Sequence, residues 1–97
     1  MENVVHFTNC EKKAINCLAK AILFVEDTVE REEIDVMTKF NEKHNITSDM
    51  GDNMNAGDAI SVIKTMDADK KERVYSYLHN FVDDSTWALI CSQFDLK

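Results

Sequence analysis

Proline is absent from this chain, and glycine occurs only at positions 51 and 57. A chain without proline, with both glycines in one stretch, changes direction through helix caps rather than tight β-turns. No segment shows sustained alternation of polar and apolar residues, so we expect no β-sheet. These absences favour an all-α fold.

Long apolar runs are also missing. The longest, 17–25, is interrupted by Lys20 and has nine residues, far short of the roughly 20 that span a bilayer. The first residues lack a basic region followed by an apolar core, so no signal peptide is expected. We therefore expect a cytoplasmic protein with no membrane insertion.

Cysteine is scarce and odd in number, at Cys10, Cys17 and Cys91. The spacing fits no metal-binding motif. We predict reduced thiols, with Cys17 and Cys91 acting as small buried apolar side chains. The chain also has no phosphate-binding glycine loop, nucleophile elbow or paired-histidine metal motif, so we expect no catalysis.

Positive charge is in deficit: 11 Lys and Arg against 18 Asp and Glu give a net charge of −7. Nucleic acid and anionic membrane surfaces repel such a chain, whereas cations and basic protein surfaces attract it. We therefore expect no nucleic-acid partner. The simplest interpretation of the acidity is that it keeps a small protein in solution.

What the chain does contain is a tetrad that occurs twice, at 24–27 (FVED) and, 57 residues later, at 81–84 (FVDD). Each copy ends an apolar helical pattern. Each then runs into an acidic corner with a hydroxyl residue that can start a helix. The repeat indicates two helical hairpins related by pseudo-symmetry.

Helical spacing of apolar residues predicts a compact bundle of about five helices in a single domain, 1–97. Thr8 and Glu11 form a capping box for the first helix, which should run to about Glu26. The predicted starts of the next four helices are 27–28, 55–58, 69–72 (a second capping box) and 83–85. Residues 1–7 form a tail and 45–55 a long loop, with Asn45 as a left-handed C-cap.

Each helix has an apolar stripe that should face the core. The stripe of the first helix makes it the central one. The stripes of the second, fourth and fifth helices comprise Ile34, Met37 and Phe40; Val74, Tyr75, Leu78, Phe81 and Val82; and Trp87, Ile90, Cys91 and Phe94. Ile46, Met50 and Met54 should hold the long loop against the core.

Two acidic corners are the main candidates for a binding site. Carboxylates gather where two helices begin: the first corner holds Asp27, Glu30 and Glu33, and the second holds Asp83 and Asp84. Hard cations such as Ca²⁺ or Mg²⁺ prefer such oxygen ligands. Helix capping explains the same residues without a metal. The long loop does not fit an EF-hand, because position twelve counted from Asp49 is an isoleucine.

The corner at 25–29, followed by Glu32 and Glu33, resembles the tellurite-resistance TerB-like domains, with the second tetrad where their second copy would stand. The resemblance covers about 10–97, with threonine at position 28 in place of the family's glycine. It implies a small bacterial helical domain involved in stress response. It also implies that Asp27, Glu33 and Asp84 are candidate metal ligands.

The sequence thus predicts a non-catalytic accessory protein whose acidic corners bind a divalent cation or a basic partner. The alternative is a small acidic protein–protein interaction module of the inhibitor or immunity type. A third, weaker hypothesis is an enzyme that uses a cysteine or His79, whose helical spacing to Asp83 otherwise indicates a surface contact. A chain this short also gains stability by dimerising, and the last helix is the candidate interface.

Overall fold

The described part of the chain consists of five α-helices and the turns between them. The computed structural model describes residues 6–23 and 31–94. The helices are α1 (Asn9–Leu23), α2 (Arg31–His44), α3 (Ala56–Lys64), α4 (Ala68–His79) and α5 (Asp84–Phe94). These residues contain no β-strand, so the predicted all-α bundle of about five helices is confirmed. The predicted end of the first helix and start of the second lie outside the described residues.

The central helix is α1, as its broad apolar stripe predicts. Ala14, Ile15, Leu18 and Ile22 are almost completely buried, and α1 packs most closely against α3. Fully burying a side chain such as Ile15 contributes roughly 1.5–3 kcal/mol, so this stripe is a major source of stability. Within the described residues, no helix is both long and apolar enough to cross a membrane.

Side-chain caps begin the helices where the sequence supplies them. The Glu11 amide donates to Thr8 Oγ1 at 3.2 Å and the Thr8 amide donates to Glu11 Oε1 at 2.8 Å, which confirms the capping box. Asn55 caps α3 by accepting a hydrogen bond from the Asp58 amide at 2.8 Å. Asn45, at the end of α2, has a φ of +58°, the left-handed conformation predicted for it.

The cap of α4 lies two residues before the predicted one, whereas the cap of α5 is the first residue of the predicted start at 83–85. Asp67, not Asp69, caps α4: its carboxylate accepts from the Lys70 amide at 2.9 Å. Asp67 has the extended backbone that an N-cap requires, whereas Asp69 already lies in the first turn. At α5 the Thr86 amide donates to Asp83 at 2.7 Å, which leaves the neighbouring Asp84 carboxylate outside the cap.

Among the helices described, α2 is the most peripheral, since none of its residues is fully buried. Met37 and Phe40 pack half-buried against the core, as predicted. Ile34, assigned to the same face, is instead 51% exposed. It lies about 120° around the helix from Phe40, beyond the edge of the buried face.

The stripes of α4 and α5 are largely as predicted. Val74, Leu78 and Phe81 are buried, but Tyr77 is the buried tyrosine and Tyr75 is only half-buried. The buried positions therefore follow 3–4 spacing from Val74, which adjacent Tyr75 cannot share. The buried α5 residues are Trp87, Ile90 and Cys91, and the side chain of Phe94 lies outside the description.

Candidate functional site

A cleft of about 690 Å³ lies between α2 and α4. Phe40 on α2 stacks face to face on Tyr77 of α4, with ring centroids 3.8 Å apart and planes 9° apart. The two helices are thus joined through an aromatic pair. Phe40 is only half-buried and borders the cleft, so part of its side chain is exposed there.

His44 closes the aromatic end of this cleft. Its ring lies 4.5 Å from that of Phe40 and makes an edge contact with Phe7 at 5.0 Å. Burial lowers the pKa of His44, and the nearby positive charges of Lys43 and Arg73 lower it further. His44 is therefore a neutral hydrogen-bonding group at pH 7, not a cation.

The fixed charges of the cleft are unlike those of the whole chain. Lys39 and Lys43 stand one turn apart on the α2 wall, and Arg73 lies on the α4 wall, with two carboxylates, Asp69 and Glu72. Among the described residues neither lysine forms an ion pair. On a protein with a net charge of −7, a cleft with more cations than carboxylates attracts anions locally.

The most deeply buried polar residue described in the cleft is Tyr77 of α4. Tyr77 lines the cleft and is 4% exposed, and its hydroxyl has no hydrogen-bond partner among the described residues. Burial raises the pKa of Tyr77, so the hydroxyl keeps its proton and remains a donor. Leaving such a buried group unpaired costs about 1–3 kcal/mol.

A second feature is the attachment of the long loop to α1. The Asn16 side-chain amide donates to the carbonyls of Thr47, Ser48 and Met50 at 3.3, 3.3 and 2.8 Å. Lys20 reaches the Ser48 carbonyl and forms a 2.9 Å ion pair with Asp52. These contacts fix the loop to the central helix.

The end of the loop is held equally closely. The Cys17 thiol donates to the Met54 carbonyl at 3.2 Å, and burial raises the pKa of this thiol, so it is an unreactive structural group. Ile46 is buried and Met50 and Met54 are half-buried against the core, as predicted. None of the three cysteines, all of which lie in the described residues, forms a disulfide.

The predicted cation ligands are only partly described. Glu33 is half-buried on α2, while Asp84 is exposed at the start of α5. Asp27 lies outside the described residues. Within residues 6–23 and 31–94, no three His, Cys, Asp or Glu side chains come together in a group that could hold a metal ion. The three-carboxylate site therefore stays a prediction.

His79 pairs with a different aspartate from the one expected. Its Nε2 lies 2.8 Å from Asp84 Oδ1, whereas Asp83 is used as the α5 cap. The His79 ring stacks on Trp87 with centroids 5.3 Å apart and planes 12° apart. The Asp84 side chain is 99% exposed, so this is a surface contact of the weakly stabilising kind.

The sequence prediction centred on the acidic corners and did not include the cleft residues. The usable signal was local: Lys39, Lys43 and His44 gather basic character in the second half of α2, around Phe40. The opposite wall could not be found in this way, because Tyr77 was not assigned to the core stripe. Asn16 was equally inconspicuous, since it stands alone inside an apolar run.

The fold and the cleft define a small all-α protein with an aromatic, locally cationic groove between two helices. No protein-family model and no curated protein matches the chain. Its structure is similar to the crystal structure of PG1108, a protein of unknown function from Porphyromonas gingivalis. The match has a TM-score of 0.77 and 27% sequence identity, and covers 100% of this chain and 86% of that one.

Proposed function

We propose that this protein is a non-catalytic binding module and that the α2–α4 cleft is its binding surface. One observation supports the proposal above all: a stacked aromatic pair and two lysines without ion pairs among the described residues line the same concavity. These residues are Phe40, Tyr77, Lys39 and Lys43. Its volume of about 690 Å³ is typical of ligand sites, which are apolar concavities with a few convergent polar groups. The side chains described in the cleft include cations and hydrogen-bond donors, which bind a ligand without reacting with it.

The test is an NMR-detected screen of the ¹⁵N-labelled chain. The panel contains aromatic carboxylates, aryl phosphates, neutral aromatics, a tetraglutamate peptide and a tetralysine peptide. We expect the amides that respond to cluster on α2 and α4 around Phe40 and Tyr77. Responses scattered over the surface, or concentrated around Trp87, would contradict the proposal.

A blocking variant gives the control. Ser76 lines the cleft, is exposed and lies on α4, so Ser76→Phe fills the space without changing charge. Ser92 is an exposed serine on α5, and Ser92→Phe makes the same change elsewhere. We expect Ser76→Phe to abolish the clustered responses and Ser92→Phe to leave them intact.

A further inference from the structure

Besides the helix caps, the described residues form the α2–α4 cleft, a shallower groove beside Trp87 and the anchored loop. The groove has a volume of about 410 Å³, and its histidine is already engaged with Asp84. In the loop, three carbonyls already accept hydrogen bonds from the Asn16 side chain of α1. The cleft combines two lysines that form no ion pair among the described residues with the stacked rings of Phe40 and Tyr77.

Resting on the proposed function, we propose that the cleft binds a small organic anion in which a flat ring carries a single carboxylate or phosphate group. The volume suits a free small molecule, since ligand sites of roughly 300–1,000 Å³ enclose compounds of that size. The ring and the anion are each required by a different part of the cleft.

The requirement for a ring comes from the aromatic pair. Phe40 and Tyr77 are stacked in parallel, and Phe40 is left half-buried at the edge of the cleft. A flat ring laid on it extends the stack, and offset aromatic contacts contribute about 0.5–1.5 kcal/mol beyond the area they bury.

The requirement for an anion comes from the α2 wall. Lys39 and Lys43 are one helical turn apart, about 6 Å by rise, so both ammonium groups can approach one carboxylate or phosphate. Arg73 lies on the opposite wall. Charge-assisted hydrogen bonds of this kind are roughly twice as strong as neutral ones.

The preference for a single charged group comes from α4. Asp69 and Glu72 line the same cleft, and their carboxylates repel a second anionic group placed near them. A polyanion such as a nucleoside triphosphate is therefore disfavoured.

Binding should also be visible at His44. The groups around its ring include Lys43 on the same helix, Arg73 on α4, Lys12 on α1 and His6 before it, all of which disfavour protonation. An anion held at Lys43 adds the first opposite charge among these groups. The protonated imidazole is then stabilised, so the pKa of His44 rises when the anion binds.

The experiment titrates the labelled full chain with indole-3-acetate and follows backbone amides and the His44 ring by NMR. Indole-3-ethanol is the matched neutral probe, acetate the matched probe without a ring, and a capped tetraglutamate peptide represents a macromolecular source of carboxylates. We expect saturable shifts on both walls of the cleft, about tenfold weaker binding of each matched probe, and an increase in the pKa of His44.

Two charge variants complete the design. Lys39→Gln with Lys43→Gln should weaken indole-3-acetate binding about tenfold or more. The control, Lys13→Gln, changes an exposed lysine on α1 and should leave the affinity for indole-3-acetate unchanged. Both variants replace exposed side chains, so folding should persist and is checked from the same spectra.

The outcomes separate this inference from the proposed function. Equal binding of indole-3-ethanol or of acetate, or capture of the tetraglutamate peptide in place of indole-3-acetate, would overturn the assignment of a ring with one anionic group while leaving the cleft as a binding surface. If no member of the wider panel perturbed the cleft, both proposals would be wrong.

Discussion

At the scale of single residues, Asn16 on α1 and Gly51 in the long loop both contribute to the contact that holds the loop against α1. Asn16 is fully buried in an otherwise apolar stripe, and its three hydrogen bonds replace the water that the loop carbonyls would otherwise bind. Gly51 approaches α1 so closely that a side chain has no room there. Both residues serve the tertiary contact between α1 and the loop rather than their own local structure.

Replacing Asn16 with alanine should lower the free energy of unfolding by about 1–3 kcal/mol, because carbonyls of Thr47, Ser48 and Met50 lose their donor. Urea unfolding measures the change. Asn53→Ala, at an exposed position of the same loop, is the control and should have little effect. An unfolding midpoint for Asn16→Ala equal to that of the unmodified protein would show that the anchor contributes nothing.

Gly51→Ala should destabilise the protein by at least about 1–2 kcal/mol, the usual cost of a left-handed conformation in a residue with a Cβ. The φ of Gly51 is +82°, and a Cβ there would lie 2.3 Å from the Lys13 carbonyl oxygen, so strain and collision add. Gly57→Ala is the matched control, since its Cβ would meet only Asn55 Oδ1 at 3.3 Å. We expect a distinctly smaller effect in thermal unfolding, and equal effects would contradict this account.

At the scale of helices, capping chemistry and stripe width decide different things. The caps fix where helices begin. The predicted cap at Thr8 is correct, whereas the cap predicted for α4 lies two residues after the observed cap, Asp67. The stripes decide how deeply a helix is buried: the wide stripe of α1 makes it central, whereas the narrow stripe of α2 leaves its outer face to charged residues. Phe40 of α2 stacks on Tyr77 of α4, and the cleft lies beside this contact.

The assignment of the α4 cap is directly testable. Asp67→Ala should cost about 1 kcal/mol, because the Lys70 amide loses its acceptor. Asp69→Ala removes the same charge two residues later, where only the attraction to the helix N-terminus is lost, about 0.3–1 kcal/mol. Denaturant unfolding of both variants compares them, and a larger loss for Asp69→Ala would restore the original capping box.

At the scale of the whole molecule, the repeat and the net charge are the features that remain to be connected with function. With an offset of 57 residues, the described part of α1 corresponds in sequence to α4. The helix α3, which packs against α1, has no counterpart in the repeat. The pseudo-symmetry and the TerB-like resemblance stay predictions, since the first tetrad lies outside the described residues. The negative charge of the surface makes the cationic cleft stand out as a local exception.

The cation hypothesis makes a prediction at this scale. After treatment with a chelator, millimolar Ca²⁺ or Mg²⁺ should raise the melting temperature by several degrees, since a ligand at about 100 times its dissociation constant adds roughly 2.7 kcal/mol. Asp27→Asn should abolish the shift, and Asp35→Asn, at an exposed position on α2, should not. Absence of a shift with every ion would leave the acidic corners as helix caps.

The sequence by itself determined the helical class, the capping box at Thr8, the left-handed turn at Asn45 and most buried positions, because these depend on residues three or four apart. Only the tertiary structure decided that Tyr77 meets Phe40, that Asn16 holds a loop more than 30 residues away, and that Lys39, Lys43 and Arg73 share one cleft. Such contacts depend on the packing of distant helices, and local spacing carries no information about which helix faces which.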